Sequence, residues 1–163
     1  MILSDSGPAT LRAVRPDDGP ALQRFFERLT PEDIRLRFFA PLRELPDGHM
    51  ARLLNVDPER ELALVLEREG EGEVLAIGRI ACERGVPERA EFAVTVRSDL
   101  QGRRIGTYFL NRLIDFARER GVTEIYGDIL AENAAMISVV EELGFRVEPL
   151  EETTAIRRAV RRL

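Results

Sequence analysis

A chain of 163 residues, 44% hydrophobic and 33% charged, has the size and balance of one compact domain with a sizeable core, spanning residues 1–163. Its net charge of −5 leaves no excess of basic residues to neutralise phosphates, which argues against a nucleic-acid partner. One cysteine, Cys82, excludes an internal disulfide, no apolar run approaches the roughly 18 residues of a membrane span, and residues 1–10 lack the basic and apolar regions of a secretory leader, so a cytoplasmic address is expected.

In chain order, residues 11–15 read as a short strand. The turn Pro16-Asp17-Asp18-Gly19-Pro20 opens a helix over about 20–29. Thr30-Pro31-Glu32-Asp33 is a strong helix start, with Thr as cap, Pro in the first position and acids in the first turn; that helix runs to about Phe38. Pro41 and Pro46 punctuate a loop before a third short helix over 47–54. Residues 61–68 and 74–82 form two strands joined by Gly70-Glu71-Gly72, and Gly85-Val86-Pro87 turns into a third strand over 89–96. Ile105, Phe109, Leu113, Phe116 and Ala117 fall at helical spacing over 104–119, and Gly121 suits the residue just past the helix end. A strand over 124–130 follows, then a helix opened by Asn133 and stopped by Gly144, then a strand over 145–148 ended by Pro149. The tail, 153–163, fits a helix stripe or a closing strand, and strand is the reading adopted. Hairpins force antiparallel pairs and crossover helices force parallel ones, so an α/β fold with mixed strand directions is expected.

The segment Gln101-Gly102-Arg103-Arg104-Ile105-Gly106-Thr107 stands between a β-rich run and an amphipathic helix. A glycine-bearing turn feeding a helix N-terminus presents free backbone N–H groups and the positive end of a helix dipole, a combination that binds phosphate. Arg103 and Arg104 add charge at the same place. No Gly-Lys-Ser/Thr follows, so this is not a Walker loop, and with a strand meander before it and the three glycines absent it is not a dinucleotide fingerprint.

Residues 91–145 as a whole resemble the GNAT superfamily of acetyl-CoA-dependent N-acetyltransferases. The matching features are Gln101 followed by Gly106-Thr107, and Asn133 followed eleven residues later by Gly144-Phe145. The resemblance implies a mixed, mostly antiparallel sheet flanked by helices on both faces, with acetyl-CoA as co-substrate. Arg104 stands where the family usually places its first loop glycine, and ordinary helical backbone angles are expected there. Leu11-Arg12-Ala13-Val14-Arg15-Pro16, residues 26–33, Leu36-Arg37-Phe38-Phe39, residues 57–65 and residues 90–94 extend the likeness to the acetyltransferase domain of Pat-type bacterial protein lysine acetyltransferases. That resemblance implies a protein substrate, commonly the active-site lysine of an AMP-forming acyl-CoA synthetase. The large companion regions of many such proteins are not in this sequence, so a stand-alone protein or an excised domain is expected.

Glu91 is the expected general base, because an ammonium must lose a proton before it attacks a thioester. On its strand Glu91, Ala93 and Thr95 share one face, and Phe92, Val94 and Val96 the other. The bland alternative is an ion pair with Arg79 or Arg89. The family tyrosine that protonates the departing thiolate falls, seven residues after the asparagine, on Val140. The expected cofactor contacts are Phe92, Val94 and Val96 on the strand, Gln101, Gly102, Arg103, Arg104, Ile105, Gly106 and Thr107 in the loop, and Asn133 and Ser138 on the following helix. Asn133 reads equally as a plain helix cap. Cys82 reads as a small core residue, and the single histidine, His49, supports no metal site. Acceptor contacts are expected from Phe38-Phe39 to Pro46 and from the helix that begins at Asp47, with Glu44 and Asp47 steering a basic lysine neighbourhood. The other readings are an N-acetyltransferase of a small amine and a weakly active acyl-CoA-sensing domain.

Overall fold

The computed structural model describes residues 2–3, 7–39, 46–100, 102 and 104–163. Gln101, Arg103, Pro41 and Glu44 lie outside them. The strands are β1 (Ile2–Leu3), β2 (Gly7–Ala13), β3 (Glu61–Arg68), β4 (Val74–Glu83), β5 (Val86–Val96), β6 (Glu124–Leu130), β7 (Arg146–Leu150) and β8 (Thr153–Arg162); the helices are α1 (Gly19–Glu27), α2 (Pro31–Phe38), α3 (Asp47–Leu54), α4 (Ile105–Glu119) and α5 (Ala134–Glu142). Among the described residues the sheet order is β1-β2-β3-β4-β5-β6-β8-β7, and every pair is antiparallel except β5–β6.

The hairpins place β3, β4 and β5 side by side, and α4 is the crossover that makes β6 run parallel to β5. The tail is a strand, wedged between β6 and β7. The first strand begins earlier than its sequence reading, at Gly7, and stops at Ala13. Strand β7 continues through Pro149 instead of ending before it. It is an edge strand, where a residue without an N–H is tolerated, and its register with β8 slips at Pro149/Leu150.

Cross-strand register sorts the side chains onto two faces. Leu64, Ile80 and Phe92 lie in a core with Phe109, Leu110 and Leu113 of α4 and Val140 of α5. Ala63 and Val65 lie in a second core with Leu22, Phe25 and Phe26 of α1, Ile34 of α2 and Leu53 of α3. Helix α2 is pinned at both ends. The Thr30 hydroxyl accepts from the Asp33 N–H at 3.0 Å, Asp33 accepts from the Thr30 N–H at 3.1 Å, and the same Asp33 oxygen accepts from the Ser98 N–H and hydroxyl just past β5. Further along, Arg35 pairs with Glu132 at the end of β6.

Candidate active site

Strands β5 and β6 pair over three positions only, Arg89–Glu124, Ala90–Ile125 and Glu91–Tyr126. Beyond Glu91 they diverge, although each stays paired to its outer neighbour, β5 through Val96 and β6 through Leu130. The backbone of β5 from Phe92 onward therefore faces an opening instead of a strand, and its polar groups on that side are left for a ligand or water. A cavity of about 700 Å³ occupies the split, within the usual size range of small-molecule sites. Phe92, Val94 and Val96 line it from β5, Asn133, Met136 and Ser138 from α5 and its cap.

The loop and the start of α4 form its floor. Ile105, Gly106 and Thr107 all line the cavity, and the first intrahelical bond is donated by the Tyr108 N–H to the Arg104 carbonyl at 3.0 Å. The N–H groups of 105–107 thus have no helical acceptor, the arrangement that receives an anion. Gly102 has φ 83° and Arg104 φ 64°, ψ 19°. The expectation of ordinary helical angles at Arg104 is therefore corrected. Arg104 holds the left-handed conformation that suits glycine, at a cost of roughly 1–2 kcal/mol, and turns the chain so that the helix start aims at the split. A Cβ on Gly106 would meet only Val139, at 3.8 Å, so glycine there leaves the helix start open to close approach. These features fit a pyrophosphate-bearing thioester: donors at one end, an unpaired strand edge along its length, and a carboxylate where β5 and β6 part.

That carboxylate is Glu91. It is exposed to the cavity and makes none of the ion pairs that the alternative reading offers it. Arg79 pairs with Glu61 at 2.8 Å, and Arg89 pairs with Glu83 and Glu124, each at 2.8 Å. Its neighbour is Tyr126, whose hydroxyl donates to Glu83 at 2.6 Å and lies 3.3 Å from Glu91 Oε2. Burial, the Glu83 bond and the Glu91 charge push the Tyr126 hydroxyl well above the usual phenol range, so it stays protonated. Arg89 and Arg158 stack over the ring at 4.0 and 4.7 Å. Sequence reasoning missed Tyr126, because its place beside Glu91 depends on a parallel register set across α4.

Asn133 serves as the cap of α5, its Oδ1 accepting from the Met136 N–H at 3.2 Å, and it also lines the cavity. Its amide N–H₂ has no partner among the described residues, so capping and ligand contact are compatible. Val140 is fully buried and offers no acid. Cys82 is buried, with its thiol pushed up by burial, as a small core residue should be. His49 is not bland: it lines the cavity, stacks edge-on against Phe38 at 5.1 Å, and lies 3.3 Å from Arg52. Of the two acids expected to steer the acceptor, Glu44 lies outside the described residues, and the described wall beside Glu91 is basic. Arg37, His49, Arg52 and Arg79 line it, whereas Asp47 is exposed at the start of α3 and does not.

This fold and cavity define an acyl-CoA-dependent transferase, and comparison with known proteins agrees. Residues 9–146 match the model of the acetyltransferase (GNAT) domain. An acetyltransferase of Pseudomonas aeruginosa is 30% identical over 162 residues, covering 96% of this chain and 86% of that protein. The acetyltransferase Pat of Mycolicibacterium smegmatis is 32% identical over 108 residues, covering 66% of this chain and 32% of that protein. The crystal structure of the GNAT domain of the S. lividans PAT superposes with a TM-score of 0.88 at 27% identity, covering 100% of this chain and 95% of that one. The chain belongs to the GNAT acetyltransferase family. It is an acetyl-CoA-dependent N-acetyltransferase, with the mixed α/β architecture of that family.

Proposed function

We propose that the protein acetylates the side-chain amine of a lysine in a protein, with an AMP-forming acyl-CoA synthetase as the expected acceptor. The observation that carries this reading is Glu91: a carboxylate left out of every ion pair among the described residues, at the point where the split strands open. The Pat-type resemblance supports a protein acceptor.

Bound acetyl-CoA supplies an activated acyl thioester. The N–H groups at the start of α4 hold its phosphates, Gly102 and Arg104 shape the approach, and the unpaired β5 edge from Phe92 to Val96 holds the pantetheine arm and the thioester oxygen. The free Asn133 amide N–H₂ and Ser138 contact the same arm from α5. Gln101 and Arg103 are assigned to the phosphate site from the sequence. Glu91 takes the proton of the incoming ammonium, directly or through one water, so that the neutral amine attacks in a ternary complex. The thiolate leaves without a dedicated acid, as a thiol of pKa about 8.5 can.

Replacing Glu91 by Gln keeps the shape and removes the proton acceptor. The acetylation rate should fall by roughly 10²–10⁴, with acetyl-CoA affinity by calorimetry close to wild type. The acceptor is tested by mass spectrometry of acyl-CoA synthetases after incubation with acetyl-CoA. Retained activity in Glu91→Gln removes the base assignment; unmodified synthetases beside acetylated polyamines move the acceptor to small amines.

A further inference from the structure

The face of the sheet that carries Glu91 also carries Arg79. Register pairs Glu91 with Ala81 and Arg79 with Ala93, so the two residues are diagonal neighbours on adjacent strands. Helix α2 crosses this face and α3 lies beside it, and they add Arg37, Arg52 and His49 to the same cavity wall. The acids available to these cations are few. Arg79 gives one guanidinium nitrogen to Glu61, while its buried Nε has no partner. Among the described residues Arg52 hydrogen-bonds only with the Gly48 carbonyl and the His49 ring. Arg37 makes no hydrogen bond or ion pair among the described residues; it lies over the neighbouring Phe38 ring at 4.8 Å and faces the cavity.

An unneutralised group of cations beside a catalytic cavity is costly without a use. Crowding by protein and the nearby Arg79 charge lower the Arg37 pKa to about 10, opposed by Glu91, and burial with Arg52, Arg37 and Arg79 lowers that of His49. Among the described residues Glu91 is the one acid at this wall that is not already engaged, since Glu61 is taken by Arg79, Asp33 by Thr30 and Ser98, and Asp128 by Arg158, and one carboxylate cannot balance Arg37, Arg52 and the spare donor of Arg79. The phosphate end of the cavity is at the α4 N-terminus, in the loop after the far end of β5, so the cofactor phosphates are held elsewhere. What remains to neutralise Arg37 and Arg79 is the acceptor.

We propose that the acceptor presents a carboxylate side chain next to the amine that is acetylated, and that Arg37 and Arg79 receive it while Glu91 faces the amine. This rests on the protein-lysine reading and narrows it to lysines flanked by Asp or Glu. A planar guanidinium suits that task, since it takes a carboxylate through two parallel hydrogen bonds. The basic wall also works against a lysine embedded among other lysines and arginines, because like charges brought to Arg37 and Arg52 are repelled.

The test is a set of short peptides with one lysine, flanked by Asp, Asn or Arg, assayed with the full chain and acetyl-CoA at constant ionic strength. The acid-flanked peptide should exceed the amide-flanked one in kcat/KM by about tenfold, the effect of one charge-assisted hydrogen-bond pair, and the Arg-flanked peptide should be the poorest. In Arg37→Gln the acid-to-amide ratio should fall to near one, and in Arg37→Lys part of it should return. Equal rates for all peptides in the wild type, or a preference for basic flanks, overturn the proposal while leaving lysine acetylation in place. Acetylation of free amino acids with no transfer to any lysine peptide overturns the protein-lysine reading instead.

Discussion

Helix α4 reaches the active site only because it can lie close to the sheet, and Gly78 is what permits that. Gly78 sits mid-strand in β4, opposite Val94, and a Cβ placed on it would stand 2.3 Å from Phe109 Cδ1, 3.0 Å from Cε1 and 3.4 Å from Cγ. Phe109 is fully buried in the centre of α4, and the close atoms are the side edge of its ring, whose rotation is opposed by the surrounding core. Gly78→Ala must lift the helix or bend the strand. Overpacking of this kind costs about 1–3 kcal/mol, and the upper end is expected where backbone has to move. For a chain of this length each kcal/mol lowers Tm by roughly 2–4 °C, giving a fall of about 6–12 °C by calorimetry. Because α4 carries at its N-terminus the N–H groups proposed to bind phosphate, acetyl-CoA affinity should fall as well. Phe109→Leu removes the obstructing ring, so the double variant should lose at least about 1 kcal/mol less than the sum of the singles. A Tm change under about 2 °C in Gly78→Ala, or strict additivity in the double variant, would refute the close-approach argument.

Three other perturbations have defined outcomes. Tyr126→Phe keeps the ring and removes the hydroxyl oxygen that, on the proposed reading, accepts from protonated Glu91; kcat should fall about tenfold, the worth of one hydrogen bond at the top of the ordinary range, with acetyl-CoA affinity unchanged by calorimetry. Arg104→Gly relieves a left-handed residue but loosens the unfolded chain, so Tm should stay level or rise by a few degrees, for a net gain of about 0–1 kcal/mol; a clear fall would show that the Arg104 side chain stabilises the loop. The Asp18 carboxyl is held below the usual range by two hydrogen bonds from Arg12, at 2.8 and 2.9 Å, and one from the Arg15 N–H. A depressed folded pKa contributes stability above the unfolded value and loses it as pH falls through the folded one, so Asp18→Asn should be less stable than wild type at pH 7, with the gap closing as pH falls below the ordinary aspartate range, by thermal unfolding.

Local signals were legible wherever a local cause sets the structure. Thr30-Pro31-Glu32-Asp33 specifies its own capping box, so the start of α2 follows from four residues, and helix α3 spans 47–54 as its sequence implies. The order of elements was readable because glycine turns and amphipathic stripes alternate cleanly. What escaped depends on pairing across distance. Tyr126 meets Glu91 through a register fixed by the packing of α4. Arg37 and His49 reach the cavity because α2 and α3 pack across the sheet, and neither residue type announces that in a short polar helix. Arg104 was misread for a different reason: propensity places arginine in ordinary helical space, but the loop must turn in the left-handed region there, and the tertiary fold overrides the preference.

The distribution of charge around Glu91 explains how one carboxylate can be left free in a site rich in arginine. Three nearby guanidiniums that could have claimed it are drawn away by other acids: Arg79 by Glu61, Arg89 by Glu83 and Glu124, Arg158 by Asp128; Arg37, which has no acid partner among the described residues, faces the cavity without an ion pair to Glu91. Two of these arginines, Arg89 and Arg158, also lie over the Tyr126 ring, whose hydroxyl approaches Glu91. A phenol has a single proton. Donated to Glu83 at 2.6 Å, that proton leaves the tyrosine oxygen as an acceptor toward Glu91. A Glu91 that, on the proposed reading, has taken a proton from the amine can donate it in a hydrogen bond to the Tyr126 oxygen. On the proposed reading, Glu83 is the group through which that proton reaches solvent. Replacing Glu83 by Gln should therefore slow turnover while leaving acetyl-CoA binding intact, and an unchanged kcat in that variant would confine Tyr126 to holding Glu91 in place.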